Sequence, residues 1–149
     1  MKIKIEKIEV QKIYPLRHSL LRKGKPLSSC HLDGDTDLET IHLGAFASEK
    51  LIGIASAFLN PCPQFLDKKG VQLRAIAVLP NYQRKGVASK LIVYALDQIK
   101  KQLNPEFVWL NGRVDANPLY ISNGFQTLGD TFEINTIGLH QRFYKNLFL

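Results

Sequence analysis

Leu73-Arg74-Ala75-Ile76-Ala77-Val78-Leu79-Pro80-Asn81-Tyr82-Gln83-Arg84-Lys85-Gly86-Val87-Ala88-Ser89 is the segment in which the chain changes its period. Its first half alternates. Val71, Leu73, Ala75, Ala77 and Leu79 are expected on one side, with Gln72, Arg74, Ile76 and Val78 on the other, the pattern of a strand over 71–79. Its second half opens a helix, because Val87, Leu91, Ile92, Ala95, Leu96, Ile99 and Leu103 recur at helical spacing with Lys90, Asp97, Lys100 and Lys101 between them. Pro80 and Gly86 punctuate the turn that joins the two.

A strand, a sharp turn and a helix N-terminus in that order form an anion site, since the first helical turn carries unpaired N–H groups and the positive end of the dipole. Gly86 lets the backbone approach a phosphate with no Cβ in the way, and small Ala88 keeps the next turn open. Arg84 and Lys85 add positive charge at the same place. A pyrophosphate suits such a site. Other phosphate loops fit worse, because neither G-x-x-x-x-G-K-[ST] nor G-x-G-x-x-G occurs in the chain, and nucleotide hydrolysis is disfavoured.

Working outward, 2–5 reads as a short strand, and 6–22 has helical spacing that Pro15 is expected to divide into two short helices. Residues 23–36 are rich in turn formers and read as a long exposed loop. The runs 38–46 and 51–59 form a hairpin. Beyond the long helix, 107–110 reads as a strand, 117–123 as a short helix closed by Gly124, and 125–134 with 139–147 as a final hairpin. Helices interleaved with hairpins imply an α/β sandwich on a mixed sheet.

The 149 residues, 45% of them apolar, fit one domain over 1–149. No apolar run approaches the roughly 18 residues that span a bilayer, and the first ten residues lack the apolar core of a secretory signal, so a cytoplasmic location without membrane contact is expected. Cys30 and Cys62 have neither CxxC pairing nor a histidine at zinc spacing, so they are read as reduced, buried thiols and no metal site is expected. The net charge of +7 is concentrated at the start, where residues 1–25 hold eight Lys/Arg against two Glu. Nucleic acid is not expected as a partner, because that stretch has no aromatic-basic interleaving and no helix-turn-helix pattern. Asp33, Asp35, Asp37 and Glu39 form a compact acidic cluster in this basic chain. It reads either as a solvated turn or as a feature that steers a cationic amine.

Gln83-Arg84-Lys85-Gly86-Val87-Ala88 is similar to the Q/R-x-x-G-x-G/A signature by which GNAT N-acetyltransferases cradle the pyrophosphate of coenzyme A on backbone amides. Further on, Asn117-Pro118-Leu119-Tyr120-Ile121-Ser122-Asn123-Gly124-Phe125 resembles that family's Y-x-x-x-G-F element. The resemblance covers 38–147. It implies a GNAT fold, with a mixed, mostly antiparallel sheet and helices on both faces. It also implies an enzyme that moves an acetyl group from acetyl-CoA to the amine of a small molecule or peptide. The residues implied at the pyrophosphate are Gln83, Arg84, Lys85, Gly86, Val87, Ala88 and Ser89. Backbone N–H groups of Ile76, Ala77 and Val78 are implied at the pantetheine and the thioester carbonyl. Asn111, Arg113 and Asn117 are placed with the cofactor or substrate contacts, although Asn111 and Arg113 read equally as surface residues. Oligomeric state stays open, a homodimer included.

The chemistry sets further demands. An amine with a pKa near 10.4 is unprotonated in only about one molecule in 2,500 at pH 7, a deficit of about 4.6 kcal/mol, so a base or a desolvating pocket must help. The resemblance implies Tyr120 as the acid that protonates the departing thiolate, against the plainer role of packing its ring under the cofactor. In one well-known version of the family mechanism a Glu on the central strand is the base. Here the corresponding positions hold Gln72 and Arg74, and neither is a base at pH 7. His140 on the last strand is the candidate instead; His18, His31 and His42 carry no comparable signal. The missing carboxylate leaves a rival open, a CoA-binding regulatory module without catalysis.

Overall fold

Runs rich in Ile, Leu, Val and Ala become strands, and the helix whose apolar residues recur at helical spacing packs on them. The computed structural model describes residues 2–134 and 137–147. Its strands are β1 (Ile3–Lys7), β2 (Ile41–Ala47), β3 (Lys50–Leu59), β4 (Gly70–Val78), β5 (Phe107–Arg113), β6 (Gln126–Ile134) and β7 (Gly138–Asn146). The helices of the described residues are α1 (Val10–Leu21), α2 (Val87–Gln102) and α3 (Asn117–Ser122), with three single turns of 3-10 helix besides. The strands form one sheet in the order β1-β2-β3-β4-β5-β7-β6. Every neighbouring pair is antiparallel except β4 and β5, which run parallel and pair only over 70–73 against 107–110. The last strand is inserted between β5 and β6, which brings His140 opposite Arg113.

The two faces are covered by different helices. Val87, Leu91, Ile92, Ala95 and Ile99 of α2 are buried against Leu43, Ala45, Ile52 and Leu73. Gly53 permits that approach, since a Cβ there would stand 3.2 Å from Leu91 Cδ1. On the other face α1 buries Ile13 and Arg17, and the Arg17 guanidinium reaches Ser56 Oγ at 3.1 Å. Among the described residues no helix is long and apolar enough to cross a membrane.

Four expectations need correction. Residues 10–21 form one helix, not two, with Pro15 inside it. The proline removes one hydrogen bond, and the buried Ile13 and Arg17 on either side hold the helix to the sheet despite that loss. The 23–36 segment is not wholly exposed: a single 3-10 turn, Leu27–Cys30, buries Cys30, and Asp35 is 6% exposed. The second strand starts at Ile41 rather than at 38, and Leu38 is fully exposed. Finally, the alternation of β4 does not run unbroken. It slips at Ala75, as described next.

Candidate active site

Ala75 has φ +56°, a left-handed conformation that a residue with a Cβ rarely adopts. Ile54 pairs with Ala77 and Ser56 with Arg74, so Ala75 and Ile76 together stand opposite Ala55, which is a β-bulge. The bulge returns Val78 to the core face with Val71 and Leu73, where the unbroken alternation had put it on the opposite side. It also marks where β4 leaves β5, whose pairing ends at Leu73 and Leu110. The peptide groups beyond the bulge are aimed by strand alternation. Leu79 N–H donates to the Ile52 carbonyl at 2.8 Å, on the β3 side. Ile76 and Val78 therefore direct their N–H groups away from β3, into the gap that β5 has vacated, while Ala77 is turned to β3. Gln83 Nε2 donates to the Val78 carbonyl at 2.9 Å on that same side.

The gap widens into a cleft of about 860 Å³. At one end stands the N-terminus of α2. Arg84 has φ +61° and Gly86 φ +82°, so the loop coils tightly before the helix starts, and no side chain caps that start. The N–H groups of Val87, Ala88 and Ser89 have no partner within the helix. Nothing lies within 4 Å of where a Cβ on Gly86 would stand. Gly86, Val87, Ala88 and Ser89, with Gln83 and Arg84, line an adjoining hollow of about 310 Å³. An uncapped, positively ended helix facing an open hollow is what a pyrophosphate group needs.

Tyr120 and His140 border the cleft from opposite faces of the sheet. Tyr120, in α3, is 8% exposed and packs on Phe143 and Phe125 with ring centroids 5.0 and 6.3 Å away. Burial pushes its phenol pKa above 10.0, so the group stays protonated at neutral pH. His140, on β7, is 6% exposed and stacks on Phe132. Its Nδ1 lies 2.8 Å from the Gly138 carbonyl. A carbonyl only accepts, so Nδ1 carries a hydrogen, and in the neutral ring Nε2 is the nitrogen with the lone pair.

The α1 face of the cleft is lined by Arg17, Leu20 and Leu21 of α1 and by Arg22 just after it, with Gln72 and Arg74 of β4 opposite. Arg17 is committed elsewhere, to Asp35 Oδ2 at 2.7 Å and the Cys30 carbonyl at 2.8 Å. Burial alone would raise the Asp35 pKa, but the guanidinium, the Leu32 N–H and the Tyr14 hydroxyl together hold it below 3.8. His42 joins this buried group, with Nδ1 2.8 Å from Ser56 Oγ and Nε2 2.8 Å from the Asp35 carbonyl. Burial depresses the His42 pKa below 6.5, with Arg17 adding to the effect and Asp35 opposing it. The acidic cluster is thus divided: Asp35 points inward to an arginine, while Asp33, Asp37 and Glu39 are exposed.

The structure accordingly gathers Ile76, Ala77, Val78, Gln83, Arg84, Ala88, Asn111, Arg113, Tyr120 and His140 around one cleft, with Gly86, Val87 and Ser89 at the hollow beside it. Lys85 and Asn117 line neither. Lys85 lies over the Tyr82 ring, and Asn117 Oδ1 is buried without a partner at the start of α3. Asn111 is occupied by Arg142, whose Nε donates to its Oδ1 at 2.9 Å. Sequence reasoning missed Gly112, which makes room for the Tyr120 ring, and the bulge at Ala75. A glycine inside a strand was the available signal for the first; alanine gives none for the second.

Comparison with known proteins agrees with this geometry. The description "Acetyltransferase (GNAT) family" matches residues 10–125. An uncharacterized N-acetyltransferase of Bacillus subtilis (strain 168), YitI, is 30% identical over 145 residues, 97% of each chain. Escherichia coli ElaA superposes with a TM-score of 0.72 at 15% identity, over 97% of this chain and 100% of that one. A chain of the NatC complex bound to Gag peptide and CoA gives 0.77 at 18% identity over 99% of each. The chain belongs to the GNAT acetyltransferase family. Its fold is that of the family, and it is an N-acetyltransferase whose acceptor these likenesses do not identify.

Proposed function

We propose that residues 1–149 act as one acetyltransferase domain that binds acetyl-CoA in the gap between β4 and β5 and acetylates a small-molecule or peptide amine. The observation that carries this reading is the opening of the sheet after Leu73, which frees the Ile76 and Val78 N–H groups beside the uncapped start of α2. Acetyl-CoA supplies the acetyl group as an activated thioester. The N–H groups of Gly86, Val87, Ala88 and Ser89 hold the pyrophosphate, with Arg84 adding charge. Ile76 and Val78 donate from the strand, one of them to the thioester carbonyl, where fixed donors favour developing negative charge. His140 Nε2 takes a proton from the acceptor amine, and Tyr120 gives its hydroxyl proton to the departing sulfur. His140 thereby fills the role that Gln72 and Arg74 leave vacant. The buried, free thiols Cys30 and Cys62 fit a reducing cytoplasm.

The test is to incubate the purified protein with acetyl-CoA and a panel of primary amines and to follow free thiol. Amine-dependent thiol release at a rate above that of acetyl-CoA and amine without the protein is the expected result. Tight CoA binding with no release on any amine would return the protein to a regulatory role.

A further inference from the structure

Arg74 stands on β4 immediately before the bulge and opposite Ser56, half-buried in the α1 face of the cleft. Among the described residues it has no carboxylate partner, and the Phe58 ring lies 5.9 Å from its guanidinium carbon. Burial lowers its pKa, and the cations Arg17 and Arg22 lower it further, opposed by Asp35 and Asp33. Asp35 is already bound to Arg17. Arg22, at the end of α1, lines the same wall, and the one carboxylate of the lining, Asp115, lies 3.5 Å from Arg113 Nε. Among the described residues, Leu20, Leu21, Leu32, Ile134 and Ile137 give the same lining an apolar wall.

An unpaired, half-desolvated guanidinium is costly to leave alone, and it is matched by a planar or tetrahedral oxyanion that it can grip with two N–H groups. A polycation entering here would meet Arg22 and Arg74, and among the described residues of the lining the one carboxylate, Asp115, is already paired with Arg113. We propose that the α1 face of the cleft takes an amine that also bears an anionic group, carboxylate or phosphate, with Arg74 binding the anion and the apolar wall holding the carbon chain. This rests on the acetyltransferase reading above and names the acceptor class for it. It replaces steering of a cationic amine by the acidic cluster, one of whose members is turned inward and the rest of which lie outside the cleft wall.

The test is a calorimetric titration of the CoA-saturated protein, in which no turnover occurs, with matched pairs of probes. Glycine, β-alanine, γ-aminobutyrate, leucine and phenylalanine are each set against their carboxamides, and 2-aminoethyl phosphate against ethanolamine. In at least one pair the anionic member is expected to bind about tenfold or more tightly than its neutral twin. Which arm wins assigns carboxylate or phosphate. In Arg74→Gln that preference should shrink to under about twofold, and Arg74→Lys should restore part of it, with CoA affinity unchanged in both. No pair in which the anion wins, or a preference that survives Arg74→Gln, overturns the proposal. Absence of CoA binding in the wild-type protein would instead bring down the reading on which it rests.

Discussion

A Cβ placed on Gly112 would come within 2.5 Å of Cε2 of Tyr120, so the bare strand at Gly112 is what lets the phenol lie beside the cleft. Any larger residue there must move the ring. Tyr120→Phe keeps the ring and removes only the proton, and kcat is expected to fall about 100-fold while the KM for acetyl-CoA stays within about twofold. Gly112→Ala should lower kcat by shifting the intact phenol, at a stability cost of about 1–3 kcal/mol. If Tyr120 acts by its position, the double variant is no slower than Tyr120→Phe alone. Steady-state kinetics with thiol detection decides this, and an unchanged kcat in Tyr120→Phe demotes the residue to packing.

His140→Gln tests the base. At neutral pH, where almost all acceptor amine is protonated, kcat/KM should fall about 100-fold or more with the KM for acetyl-CoA unaffected. As pH rises toward the amine pKa, free amine is supplied by solvent and the base matters less. The ratio of wild-type to variant rates should therefore narrow with rising pH. A ratio that stays flat between pH 7 and 10 would assign His140 a structural role only.

Gly86→Glu places a carboxylate in the open space before α2, where the Gly86 Cβ position has no neighbour within 4 Å. CoA affinity is expected to fall about 100-fold or more, through repulsion of the pyrophosphate. The positive φ of +82° adds some strain. Unchanged circular dichroism with lost CoA binding is the expected pair of measurements, and wild-type affinity would remove the loop from the site.

The Arg17–Asp35 pair makes a stability prediction independent of catalysis. Arg17→Met leaves a buried carboxylate uncompensated and should cost about 3–5 kcal/mol in urea denaturation. The pH dependence follows from two depressed values. His42 is held neutral in the fold, so stability falls as pH drops below its ordinary 6.5, where the unfolded chain takes up a proton that the native state refuses. Asp35 adds a second loss below its ordinary 3.8, continuing until its folded value is passed. His42→Gln should remove the first of these two phases. A melting temperature that does not change between pH 7 and 5 would show that His42 contributes no such linkage.

How much of this was legible in the sequence depended on whether the signal was local. The α2 register, Gly86 and the Tyr120 element were readable because a helical period, a turn glycine and a short motif each lie within a few residues. Pro15 misled for the same reason: its local cost is real, but burial of Ile13 and Arg17 outweighs it. Asp35 looked like one of four solvated acids because its partner Arg17 lies 18 positions away on another element. The bulge at Ala75 was invisible, since alanine has no preference for positive φ and the slip arises from pairing with β3.

That bulge bears on the mechanics of the whole sheet. Only the four residue pairs of 70–73 with 107–110 join β4 to β5 as strands, so strands β1 to β4 and strands β5 to β7 are two panels fastened at one end of their shared seam, over four of the nine residues of β4. An extended ligand lying in the opening occupies the place of an eighth strand and spans both panels. Loading the cleft should then act as a clasp at long range from the chemistry, slowing amide exchange in β5 and β7 as much as in the residues it touches.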